Sequence, residues 1–190
     1  MQKSIFIFLF FILGTTLSFS QSGIQFYGGI SNAKNKSALI TPEGTSHPGY
    51  HFGADARLNE GKMYFVIGGQ YHSIDFLAQR DKSFFSVDEK MNWLKVRVGL
   101  GYTFFELSDK FAIRGKTLIS FNFLSSYPTD VPTAPYNTYN SGSVGAVLGL
   151  GIDFYNFTLD AEFENGFFKT VTMVDGTEIN FFTLSLGYKI

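Results

Sequence analysis

Residues 50–71, YHFGADARLNEGKMYFVIGGQY, decide the fold. Tyr50, Phe52, Ala54, Ala56 and Leu58 alternate with His51, Gly53, Asp55 and Arg57, so a strand here has one apolar and one polar face. Asn59-Glu60-Gly61-Lys62 carries turn residues, and beyond it Met63, Phe65, Ile67, Gly69 and Tyr71 resume the apolar parity. The segment therefore predicts a β-hairpin, with Leu58 opposite Met63 so that both apolar faces lie on one side of the sheet.

Working outward, the same period of two recurs and no ten-residue stretch has helical spacing. Ile24, Phe26, Gly28 and Ile30 supply a first strand. Leu94, Val96, Val98, Leu100, Tyr102 and Phe104 alternate with Trp93, Lys95, Arg97, Gly99, Gly101 and Thr103. Ile113, Thr117, Ile119, Phe121 and Phe123 lie opposite Arg114, Lys116, Ser120 and Asn122. Val144 to Ile152, Phe157 to Phe163 and Phe182 to Ile190 repeat the pattern, which brings the number of strands to eight.

The connections alternate in length. Short ones fall near Asn59 to Lys62, Glu106 to Lys110 and Tyr155 to Asn156. Long ones run roughly from Ser31 to Pro48, Asp75 to Met91, Ser125 to Ser141 and Asn165 to Glu178. Eight antiparallel strands with both termini on the short-turn side need four long and three short connections, which is the arrangement found. Outer-membrane barrels have short periplasmic turns and longer extracellular loops, so the pattern also orients the chain, with both termini periplasmic.

The N-terminus reads differently. Lys3 precedes an apolar run from Ile5 to Leu13, too short to span a bilayer as a helix. With Ser18 and Ser20 before Gln21, residues 1–20 are expected to be a cleaved signal peptide and residues 21–190 the barrel domain. Loss of Lys3 moves the formal charge from −1 to −2. The chain has no cysteine, which excludes disulfides and a lipid-modified cysteine. A near-neutral charge gives no basic surface for nucleic acid.

Alternation does not say which face is inside; three features favour an apolar exterior. The polar face carries Gly53, Gly99, Gly101, Gly145, Gly149 and Gly151, which in a narrow lumen make room for long charged neighbours. Aromatic residues gather at strand ends, Tyr102, Phe104, Phe111, Phe154, Phe157 and Tyr188 toward the short turns. Tyr50, Phe52, Tyr71, Phe121, Phe123 and Phe163 form the girdle at the other end. The strands also reach the roughly 9 to 11 residues of a tilted crossing. The fold class is thus all-β: an eight-stranded antiparallel up-and-down transmembrane β-barrel whose partners are outer-membrane lipid and the machinery that inserts barrels.

The segments GIQFYGGIS (23–31), PGYHFGADARLN (48–59), MYFVIGGQYHSIDF (63–76), NWLKVRVGLGYTF (92–104) and FFTLSLGYKI (181–190) resemble the small outer-membrane barrels of Bacteroidetes-type bacteria described as PorT-like. That resemblance implies a cell-envelope or secretion-associated role with envelope or secretion proteins as partners. The family closes on an aromatic residue, where this chain has Ile190.

Inward polar faces gather Arg57, Lys95, Arg97, Arg114 and Lys116 with Asp153, Asp160, Glu162 and Glu164. An eight-stranded barrel holds side chains and no aqueous channel, so these charges are expected to form a structural, mutually neutralising network. Asp160, Glu162 and Glu164 also have the spacing of a cation site, which the nearby bases disfavour. His51, placed beside Gln70 and diagonal to His72, lacks a third metal ligand, so no metal or cofactor is expected. His72 and Ser73 are adjacent and point to opposite faces, which argues against a hydrolase dyad there and for a non-enzymatic protein. Tyr127, Tyr136 and Tyr139, in the Pro-rich loop SSYPTDVPTAPYNTYNSG (125–142), are the candidate interaction surface. Adhesion through such loops is the alternative function, and lipid modification a more distant one.

Overall fold

The computed structural model describes residues 23–34, 46–59, 62–75, 90–108, 110–126, 140–170 and 176–190. The expected signal peptide (1–20) and the loop tyrosines Tyr127, Tyr136 and Tyr139 lie outside these residues. Eight strands follow in order: β1 (Gly23–Lys34), β2 (Ser46–Leu58), β3 (Met63–Asp75), β4 (Lys90–Ser108), β5 (Phe111–Ser126), β6 (Gly142–Phe154), β7 (Phe157–Gly166) and β8 (Asn180–Lys189). Each pairs antiparallel with its sequence neighbours, and β8 returns to β1 to close the barrel. Closure leaves no sheet edge along the wall, so every strand has a ladder partner on both sides.

The alternation read from the sequence sorts inside from outside as expected. Leu148, Leu150 and Leu186 are 60%, 64% and 63% exposed on the outer wall, whereas Lys95 and Arg97 are 0% and 1% exposed in the lumen. The outer aromatic ends stand exposed too: Phe154, Phe157 and Tyr188 beside the short turns, Phe52, Phe121 and Phe123 at the far end.

The β2–β3 hairpin differs from the expected register. Leu58 pairs with Phe65, not Met63, and His51 consequently faces His72 directly, with Gln70 opposite Gly53. Met63 and Tyr64 overrun the end of β2 and pair with Tyr102 and Gly101 of β4. The stagger that barrel closure imposes explains this: β3 must start lower than β2 ends to meet β4, and Thr103 N–H donates to the Lys62 carbonyl at 2.7 Å. Asn59 turns the chain with φ of 66°. Because the slip is two residues, no side chain changes face.

The strands also reach further into the first long connection than the sequence suggested. β1 runs to Lys34 and β2 begins at Ser46, where Ser46 Oγ donates to Asn32 Oδ1 at 2.6 Å. On β4, a register shift between Thr103 and Phe105 turns both Phe104 and Phe105 outward, 58% and 64% exposed.

The lumen is not wholly ionic. Ala33, Ile74, Met91, Trp93, Ile179 and Phe181 form a buried apolar cluster at the long-loop end. Tyr64, Val66, Leu118 and Val147 form a second one on the wall of β3 to β6. Two lumen glycines make room for the charged side chains. A Cβ on Gly151 would come within 2.5 Å of Asp160 and 2.8 Å of Arg114, so those tips would have to shift, and one on Gly149 would press at 3.0 to 3.2 Å on Lys116 and Glu162.

Candidate functional site

Inward parity places Asp55 and Arg57 on β2, Lys95 and Arg97 on β4, Arg114 and Lys116 on β5, Asp153 on β6, and Asp160, Glu162 and Glu164 on β7. Across a lumen this narrow these side chains meet. Near the short turns, Arg57 Nη1 contacts Asp153 Oδ2 at 2.7 Å, and Arg114 bridges Asp153 at 2.7 Å and Asp160 at 2.8 Å. Gln25 stitches this layer together, accepting from Arg57 and donating to Asp160 Oδ2 at 2.9 Å and Thr158 Oγ1 at 2.6 Å.

One layer higher, Arg97 donates to Glu162 at 2.7 Å and to Asp55 at 2.6 Å. Lys116 contacts Glu162 and lies 3.6 Å from Asp160 and 3.8 Å from Asp55. The ring of Tyr27 lies 5.2 Å from the Arg97 guanidinium, and its hydroxyl donates to Asp55 at 3.3 Å. Above these, Lys95 Nζ reaches Glu164 at 2.6 Å and lies 3.7 Å from the Phe181 ring centroid. Asn122 donates to the other Glu164 oxygen at 2.6 Å.

All nine residues expected in the charge network thus pair in the lumen: Arg57, Arg97, Arg114, Lys116, Asp153, Asp160 and Glu162 form one connected lattice, and Lys95 and Glu164 a separate pair above it. Sequence reasoning missed the network's tenth member: Asp55, on the inward face of β2 two residues before Arg57, bonds Arg97 and lies near Lys116. With it, five bases face five acids, Arg57, Lys95, Arg97, Arg114 and Lys116 against Asp55, Asp153, Asp160, Glu162 and Glu164. The lattice is neutral by this count, and each charge has a partner at hydrogen-bond distance, the condition under which buried ions persist. Its contacts join side chains of β2, β4, β5, β6 and β7 across the centre of the barrel.

The residues weighed for other chemistry separate. Asp160, Glu162 and Glu164 are each paired with a base, Asp160 with Arg114, Glu162 with Arg97 and Lys116, and Glu164 with Lys95. Among the described residues, no group of three or more His, Asp or Glu side chains is arranged to hold a metal ion. His51 and His72 face each other with ring centroids 5.6 Å apart. A serine does reach His51, though from β8: His51 Nε2 lies 2.7 Å from Ser185 Oγ. Both are buried in the lumen, and among the described residues no acid hydrogen-bonds His51 Nδ1 as the orienting group of a hydrolytic triad would.

No protein-family model matches the sequence, and no curated protein sequence is significantly similar to it. Solved structures are similar in fold. Neisserial surface protein A aligns over 89% of this chain and 96% of its own, with 15% identity and a TM-score of 0.58. The N-terminal β-barrel domain of Pseudomonas aeruginosa OprF covers 90% of this chain and 100% of its own, at 9% identity and a TM-score of 0.47. Ail, the attachment invasion locus protein of Yersinia pestis, covers 89% and 97% at 14% identity and a TM-score of 0.44. At these identities the likeness speaks to architecture: the chain has the closed, eight-stranded antiparallel fold of small outer-membrane barrels.

Proposed function

We propose that the chain is a non-enzymatic integral protein of a bacterial outer membrane, with both termini periplasmic and an envelope-structural or secretion-associated role. One observation carries the membrane reading. Apolar side chains cover the outer wall of the closed barrel on every strand, from Ile24 and Phe26 on β1 to Leu184 and Leu186 on β8, while the ten paired charges of the network are inside. Soluble monomers rarely expose contiguous apolar surface of this extent. In hydrocarbon it is the arrangement expected, because closure satisfies the backbone and the outer face needs no water.

The periplasmic placement of the termini rests on the alternation of short turns and long connections. The secretion-associated role, with envelope or secretion proteins as partners, rests on the PorT-like resemblance; lipid and the barrel-assembly machinery are the partners that the membrane-barrel reading implies. Lumen bracing by paired ions supports a scaffold over a catalyst.

The compartment and the closed fold are tested together by gel migration of outer-membrane fractions with and without boiling. A band that runs faster unheated and slower after boiling is expected; one that partitions into the soluble fraction without detergent refutes the reading. A deletion strain then tests the role: loss of secreted cargo supports it. Normal secretion with lost surface attachment assigns the function to the extracellular loops instead.

A further inference from the structure

The closed ladder ends unevenly at the short-turn side. β3 begins at Met63, opposite Tyr102, and the last bond between β3 and β4 there runs from Thr103 N–H to the Lys62 carbonyl. β4 continues to Ser108, and from Phe105 onward it pairs with β5 alone, Phe105 with Ile113, Glu106 with Ala112 and Ser108 with Phe111. β5 is covered in turn, since Phe111 pairs with Phe154 of β6. The β4–β5 hairpin thus carries one open backbone edge, residues 104–108, with no strand beside it among the described residues. A cleft of about 340 Å³ lies at this edge, lined by Lys62, just before β3, and by Thr103, Phe104, Phe105 and Glu106.

This edge suits neither lipid nor water. Phe105 and Leu107 are 64% and 70% exposed on the outer face, beyond the girdle residue Tyr102, and the exposed Glu106 between them turns to the opposite face. With a rise of roughly 3.4 Å per residue and a tilt of about 40°, the outward apolar run from Leu94 to Leu107 stands roughly 30 Å tall, against about 25 Å for the apolar band of such barrels. In hydrocarbon the open edge would leave N–H and C=O groups without partners. In water it would set large apolar side chains along an unpaired strand, which is a template for another chain. A second copy does not fit: inserted in the same orientation, it would bring its own β4 alongside in the same direction, whereas the vacant lane continues that of β3 and takes an antiparallel strand. We propose that residues 104–108 are a docking edge for an extended segment of a periplasmic protein. That segment adds to β4 as a short antiparallel strand, with apolar residues beside Phe105 and Leu107 and a basic residue beside Glu106. The partner's compartment rests on the periplasmic placement of the short turns proposed above.

The test titrates a synthetic peptide, Ser-Val-Lys-Val-Ser, into the folded, isotope-labelled full chain in detergent micelles and follows the backbone amide signals. Shifts and slowed hydrogen exchange confined to residues 104–108 and Lys62 are expected. Glu106→Lys should weaken this binding about fivefold and strengthen that of Ser-Val-Glu-Val-Ser by a similar factor, the worth of one cross-strand charge pair. Phe105→Ser combined with Leu107→Ser should abolish both; should that double variant fail to fold, the charge reversal decides. Gel migration of each preparation is read first. Wild type that migrates alike with and without boiling refutes the barrel itself, whereas a heat-modifiable barrel whose edge amides ignore the peptide overturns the docking edge alone. Shifts at the edge produced by concentrating the protein without peptide assign it to a second copy and overturn the proposal. Quenching of a fluorophore on Leu107→Cys by bromine-labelled acyl chains in vesicles does so too, because it puts the hairpin in lipid. In intact cells Leu107→Cys should resist a polymer-linked thiol reagent that the outer membrane excludes; labelling turns the edge to the cell exterior and overturns a periplasmic partner, whatever the peptide shows.

Discussion

Arg97 and Glu162 come from strands β4 and β7, 65 residues apart in sequence, and meet inside the lumen at 2.7 Å. Neither strand pairs with the other in the sheet. The contact is therefore a cross-brace, made through the barrel interior and independent of the backbone ladder that joins neighbours. Arg97 also holds Asp55 on β2, so one side chain links three non-adjacent strands.

Removing that side chain takes from Asp55 its hydrogen-bonded base and from Glu162 one of its two. Arg97→Gln is expected to destabilise the barrel by about 3–5 kcal/mol, the range for breaking a buried pair at one end. In Glu162→Gln the two bases left behind keep other acids, Arg97 with Asp55 and Lys116 with Asp160 at 3.6 Å, which places that variant at the lower end of the range. The double variant should lose less than the sum of the two singles, since each removes the same interaction. Reversible urea unfolding in lipid vesicles measures all three, and strict additivity would contradict the brace.

Inner and outer glycines should respond oppositely to a larger side chain. A Cβ at Gly149 presses on Lys116 and Glu162, and one at Gly151 runs into Asp160 and Arg114. At Gly69, on the outer wall, the nearest atom to a new Cβ is the Lys95 carbonyl oxygen at 3.9 Å. Gly149→Val is thus expected to lower folding yield sharply, and Gly69→Ala to fold like wild type. The fraction of heat-modifiable species after refolding reads both, and equal yields would remove the close-packing argument.

Much of this was legible in the sequence, and the residues show why. The period of two gave strand number and facing, because His51, Asp55 and Arg57 against Phe52, Ala54 and Ala56 leave only one amphipathic solution. Register was not legible, since Asn59 to Lys62 fits more than one turn and only the stagger of the closed barrel selects Leu58 opposite Phe65. Runs such as Thr117-Leu118-Ile119 and Ala146-Val147-Leu148 are apolar or nearly so on both faces, which hid the lumenal Leu118 and Val147. The site was half legible: inward charges could be named, but the pairing of Asp55 with Arg97 depends on barrel diameter. The Ser185 contact with His51 arises from closure of β8 onto β1, to which no local pattern points.

Turn chemistry supplies a smaller test. Asn59 has φ of 66° and Tyr155 φ of 55°, a region where side chains other than Gly, Asn and Asp are disfavoured by roughly 1–2 kcal/mol. Asn59→Gly should leave stability nearly unchanged, whereas Asn59→Val should lower it by about 1 kcal/mol or more. Tyr155 holds its strained place with its ring 4.8 Å from Phe154 and 5.1 Å from Lys110 Nζ. Tyr155→Gly therefore trades strain relief against lost ring contacts, and the unfolding midpoints of the three variants rank the two effects.

The direction in which β4 faces decides the membrane reading. Val98 is half-buried on the outer wall between Val96, 45% exposed, and Leu100, 52% exposed, whereas its neighbour Arg97 is 1% exposed in the lumen. Single cysteines at Val98 and Leu148 should be quenched by bromine-labelled acyl chains in vesicles when they carry a fluorophore and, left unlabelled, be unreactive toward membrane-impermeant thiol reagents. Val98→Arg should cost about 2–4 kcal/mol near the bilayer midplane, while Val98→Ile should be neutral. A soluble barrel with the same strands would bury Val98, expose Arg97 and tolerate charge at neither apolar position for a different reason, namely core disruption. Lipid quenching separates the two cases, because only a lipid-facing residue can approach an acyl chain.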